Sequence, residues 1–87
     1  MNKKEIINFL LPKIIKSLNP KKIILFGSLA KNNYNKFSDI DFAIDTDRPL
    51  SYFDFPGNFD IIDLNRVNEE FKKKILNEGI ILYERKN

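Results

Sequence analysis

In this 87-residue chain, Gly27, Ser28, Asp39, Asp41 and Asp60 combine a tight turn, a hydroxyl and three carboxylates, the groups that bind phosphates and divalent cations. Gly27 and Ser28 follow a short apolar run, Ile23 to Phe26, so they form a turn at the end of a strand. Backbone N–H groups at such a turn point outward, the glycine lets a phosphate approach the backbone, and the Ser28 hydroxyl can donate one more hydrogen bond. Gly-Ser alone is an ordinary turn. It gains weight from Asp39 and Asp41, which follow after ten intervening residues and open a second apolar run. A strand places residues i and i+2 on one face, so both carboxylates can reach the same ions. Two like charges that close repel, and a cation is the natural relief.

A third acid should complete the set. Asp60 and Asp63 both lie on or beside a later strand, but their phases differ and only one can face the pair. Asp60 opens that strand directly after a glycine-containing loop and is the favoured choice over Asp63. Asp45 and Asp47 lie further along the second strand and are expected to be supporting or solvated. Three acids beside a phosphate-holding turn fit two-metal nucleotidyl transfer, in which one ion activates the incoming hydroxyl and the other grips the triphosphate. Asp60 would lower the pKa of the attacking hydroxyl or accept its proton.

The elements that must position these residues follow from pattern. Lys3 to Leu18 reads as an amphipathic helix, with Ile7, Leu11, Ile14 and Leu18 on one stripe and Ile6, Leu10 and Ile15 widening it. Pro12 predicts a kink or restart, and Asn19-Pro20 ends the helix. Lys22 to Phe26 is a buried strand, Leu29 to Asn32 a helical turn, and Asn32 to Phe37 a polar loop. Asp39 to Asp45 alternates strictly, with Asp39, Asp41, Ala43 and Asp45 on one face and Ile40, Phe42 and Ile44 on the other. Thr46 to Asn58 holds Pro49, Pro56 and Gly57, so it is a loop or a short irregular turn of helix. Phe59 to Leu64 is a third strand. Asn68 caps a second helix that runs to Asn77, buries Phe71 and Ile75, and stops at Gly79 in the C′ position. Ile80 to Tyr83 makes a fourth strand. The order predicts an α+β fold, a small mixed sheet with helices packed against it, as a single domain over residues 1–87.

Composition narrows the partners. At 43% hydrophobic residues the chain lies outside the disordered range. With no Cys and no His, thiolate and imidazole ligands are excluded, so a metal would have oxygen ligands, favouring Mg²⁺ or Mn²⁺ over zinc. No apolar run approaches the roughly 18–20 residues that cross a bilayer, and no signal-peptide pattern is present, so a cytoplasmic protein without a membrane partner is expected. The net charge of +3 is strongly segregated: residues 1–36 carry eight Lys against one Glu, residues 37–65 seven Asp against Arg48, and residues 66–87 six Lys or Arg against four Glu. Carboxylates set within a basic chain suit a metal-bound triphosphate, with metal meeting Asp and phosphate meeting Lys. The lysines of the first helix and Lys72-Lys73-Lys74 are expected to be solvated. No aromatic–basic platform for a specific nucleic acid accompanies the motif.

Gly27-Ser28-x10-Asp39-x-Asp41 between two strands resembles the signature of the polymerase-beta-type nucleotidyltransferase superfamily. Phe26-Gly-Ser-Leu-Ala-Lys, Ser38-Asp-Ile-Asp-Phe-Ala-Ile and the closing Leu82-Tyr83-Glu84 resemble its smallest branch, the minimal nucleotidyltransferases, or MntA-like proteins. The resemblance implies that Gly27 and Ser28 hold nucleotide phosphates and that Asp39, Asp41 and Asp60 bind Mg²⁺, with two ions during catalysis. It further implies an antitoxin paired with a HEPN-type toxin from an adjacent gene, using ATP to place AMP on a tyrosine of that toxin. The alternative is a non-catalytic antitoxin that neutralises its partner by binding. A homo-oligomer is compatible with either. The chain departs from the branch in having Asn32 where Gly is usual, and in lacking a full helix between the second and third strands.

Overall fold

The computed structural model describes residues 2–27, 30, 40–55 and 59–86. Helix α1 (Lys3–Leu18) is capped by Asn2, whose Oδ1 accepts from the Glu5 N–H at 2.8 Å. It runs without a restart through Pro12. A proline inside a helix costs about 3 kcal/mol. Here Ile7, Leu10, Ile14 and Leu18 are buried, and each such side chain contributes about 1.5–3 kcal/mol, which outweighs that cost. Asn8, whose carbonyl loses its partner four residues on, is exposed like Pro12 itself, so water can serve it. Asn19 ends the helix in the left-handed conformation, φ 45°, and its N–H bonds to the Ile15 carbonyl.

Strands β1 (Lys22–Phe26), β2 (Ile40–Asp45), β3 (Phe59–Asp63) and β4 (Ile80–Glu84) form one sheet in the order β3-β2-β1-β4. β1 pairs antiparallel with β2 and with β4, whereas β2 and β3 are parallel, so the sheet is mixed. Between β2 and β3 the described chain forms only a 3-10 turn at Leu50–Tyr52 rather than a full helix. Helix α2 (Glu69–Glu78) follows β3, capped by Asn68, whose Oδ1 accepts from the Phe71 N–H at 2.8 Å.

The two helices lie on opposite faces of the sheet. Ile23 and Leu25 of β1 and Ile40, Phe42 and Ile44 of β2 form one core with α1, joined by Phe53, Phe55 and Phe59. Ile24 and Ala43 point the other way and pack with Leu64 and Ile75, beneath α2. The alternation expected of β2 is therefore realised, with its acidic parity on the α2 face. Thr46 closes the first core. Buried at 4% exposure, its Oγ1 donates to the Leu18 carbonyl and accepts from the Arg48 N–H, each at 3.1 Å.

Two expectations for α2 need correction. Phe71 is 37% exposed rather than buried, because its ring sits at the end of the helix–sheet interface, edge-on to Phe26. Gly79 caps the helix with φ −77° and ψ 164°, extended backbone rather than the left-handed C′ conformation. Glycine is needed there for space. A Cβ would overlap Cγ2 of Ile24 and lie 2.6 Å from the Ile75 carbonyl oxygen. No helix among the described residues is long and apolar enough to cross a membrane.

Candidate active site

The site is built at the end of β1. Phe26 is the last residue of that strand, and Gly27 turns the chain with φ +78°, the left-handed region that glycine enters without steric cost. The absence of a side chain serves a second purpose. A Cβ on Gly27 would overlap Oδ2 of Asp41 and stand 3.1 Å from its Cγ. The half-buried Asp41 carboxylate thus occupies the volume that any other residue at position 27 would claim.

Register carries the row across the sheet. Phe26 is paired with Asp41 across the antiparallel β1–β2 ladder, and Asp41 with Asp60 across the parallel β2–β3 ladder. Paired residues in adjacent strands point to the same face, and strands lie about 4.8 Å apart. Phe26, Asp41 and Asp60 therefore form one transverse row on the α2 face, with Asp60 exposed on the edge strand. Asp63 is opposite Ile44, on the other parity. Ser28 and Asp39 lie outside the described residues.

Asp63, Asp45 and Asp47 have local structural partners. Asp63 Oδ1 accepts from the Asn65 N–H at 2.9 Å, and its Oδ2 lies 3.6 Å from Nε of Arg66, closing the turn after β3. Asp45 Oδ1 accepts from Nδ2 of Asn65 at 2.9 Å, tying the end of β2 to the same turn. Asp47 sits 3.9 Å from Nζ of Lys21 in an exposed pair. Among the described residues, no group of three or more acids is close enough to hold a metal, Asp39 being outside them. The donors that the row offers, two carboxylates on neighbouring strands, are hard oxygens, the chemistry that suits Mg²⁺.

Beside the row lies a cleft of about 210 Å³ lined by Phe26, Gly27, Phe71, Lys74, Ile75 and Glu78. Residue typing alone did not point to it, since Phe71 read as core and Lys74 as part of a solvated run. Its signal was present as spacing: 71, 74, 75 and 78 fall on one stripe of a helix.

A mixed sheet that carries a glycine turn beside carboxylates of two adjacent strands, with helices on both faces, suits the handling of a phosphate-bearing substrate. The chain matches the family model described as polymerase beta, nucleotidyltransferase, over residues 5–87, and it belongs to that family. Nucleotidyl transfer is accordingly its class of chemistry. No curated protein matches the chain.

Proposed function

We propose that this protein is a Mg²⁺-dependent nucleotidyltransferase that moves AMP from ATP to a tyrosine of a partner protein, as the antitoxin of a HEPN-type toxin in the cytoplasm. The observation that carries nucleotidyl transfer is the pairing of Asp41 with Asp60 next to the Gly27 turn. The family match supports the same class of reaction.

In this reading Gly27 and Ser28 hold the triphosphate by backbone N–H groups and the serine hydroxyl. Asp39, Asp41 and Asp60 would hold Mg²⁺, which when bound supplies positive charge against the phosphates. Asp60, exposed on the edge strand, meets the incoming tyrosine and accepts its phenolic proton. The phenolic oxygen forms a bond to the α-phosphorus, the bond from that phosphorus to the bridging oxygen of the β-phosphate breaks, and pyrophosphate leaves. A protein acceptor is favoured because β3 is an edge strand and the described part of the β2–β3 connection contains only one 3-10 turn, leaving room for a partner.

That same short connection favours a second reading, neutralisation of the toxin by binding alone. One experiment separates them: labelled ATP, Mg²⁺ and the product of the adjacent gene are incubated with the protein and with its Asp39→Asn/Asp41→Asn variant. Transfer that depends on both aspartates supports the enzyme. Transfer that survives the double substitution sinks the proposed site, and absence of transfer with the intact protein leaves binding alone.

A further inference from the structure

We infer that the cleft between the end of β1 and α2 receives the base of the nucleoside triphosphate, so that the nucleotide lies across the sheet with its base at α2 and its acceptor entering over β3. This rests on the nucleotidyl-transfer reading of the same site.

Three observations carry it. The cleft is contiguous with the phosphate turn, because Gly27 lines both. Its walls suit a flat ring: Phe26 and Phe71 meet at 86° with centroids 6.0 Å apart, forming an aromatic corner, and Ile75 closes the floor. A base can lie on the face of one ring and against the edge of the other. Phe71 is also 37% exposed, so part of its ring remains available to a ligand. The volume, about 210 Å³, is below the roughly 300–1,000 Å³ of pockets that swallow a drug-sized ligand. It fits one ring system and leaves the sugar and phosphates outside.

Order along the sheet then assigns the rest of the substrate. From the cleft, the transverse row runs Phe26, Asp41, Asp60, and ends at the β3 edge. With the base against Phe71, the triphosphate passes over Gly27 toward Asp41, and the face beside Asp60 is left for the acceptor. Lys74 also lines the cleft and adds a cation to its wall.

The test compares Mg²⁺-ATP with Mg²⁺-tripolyphosphate, which has the phosphates but no base, by calorimetry on the full chain. The intact protein should bind ATP more tightly. Phe71→Ala should weaken ATP about 5- to 140-fold, the range for loss of one base–aromatic stack, and leave tripolyphosphate unchanged. Phe71→Leu keeps apolar packing against Phe26 and should show the same selective loss if Phe71→Ala folds poorly. Photolabelling with 8-azido-ATP should mark Phe71–Glu78 and be competed by ATP. Equal loss for both ligands, no loss for either, or label on α1 would overturn the base cleft while the phosphate site stands. Failure of the intact protein to bind either ligand would overturn the nucleotidyl-transfer reading itself.

Discussion

Gly27 and Asp41 occupy one another's space: the carboxylate of Asp41 fills the position that a Cβ at residue 27 would take. The glycine turn and the first described acid of the candidate site are therefore a single steric unit, although thirteen residues separate them in sequence.

Gly27→Ala should lose about 1–2 kcal/mol from the left-handed backbone alone, and more from the clash with Asp41. Removing the clashing group should return part of that loss. In a double-mutant cycle with Asp41→Ala, urea denaturation should give a coupling of about 0.5–3 kcal/mol. Simple additivity of the two substitutions would mean that the overlap is relieved elsewhere.

Asp60 and Asp63 should separate cleanly. Asp60→Asn is expected to lower AMP transfer by about 10²–10⁴-fold, the scale of a lost general base, with little change in stability because the side chain is exposed. Asp63→Asn should do the reverse, keeping transfer while weakening the turn it shares with Asn65 and Arg66. Label-transfer rates and thermal melts of both variants decide the matter; a dead Asp63→Asn with a fully active Asp60→Asn would reassign the third acid.

Thr46→Val preserves shape and removes a buried hydroxyl that serves the Leu18 carbonyl and the Arg48 N–H. Leaving such groups unpaired costs about 1–3 kcal/mol. The expected result is a lower urea midpoint at unchanged slope, with nucleotide affinity intact, since Thr46 lies at the far end of β2 from Asp41. An affinity change would place Thr46 in the site.

Gly79→Ala forces a methyl against Ile24 and the Ile75 carbonyl. Overpacking of this kind costs about 1–3 kcal/mol. Because β4 begins at the next residue, hydrogen exchange should report faster opening of β4 and of the end of α2, whereas α1 should keep its protection. Uniform loosening would argue against a local origin.

Much of this architecture was legible in the sequence because the signals are local. Strict alternation marked β2 and its two faces, the side-chain cap at Asn68 opened α2, and Asn19-Pro20 closed α1; the Asn2 cap of α1 came only with the structure. Where local signals competed with packing, the packing decided. Pro12 is a breaker by type, yet four buried side chains carry the helix through it. Gly79 is a stop by type, yet its conformation is one that any residue adopts, and the constraint is the closeness of Ile24. Phe71 has the apolarity of a core residue, but its position in the first turn of α2 leaves it partly exposed at the surface of a cleft.

The family, the polarity pattern of the strands and the inventory of oxygen donors are written along the chain as residue type, parity and short-range spacing. Three-dimensional packing alone sets β2 and β3 parallel, in the register that places Asp60 opposite Asp41 and Asp63 opposite Ile44. Only it decided that Gly27 yields its side-chain volume to Asp41 and that Phe26 and Phe71 form an aromatic corner beside that turn. Each of these is a meeting of residues far apart in sequence, selected by which hydrophobic faces the sheet must bury on its two sides.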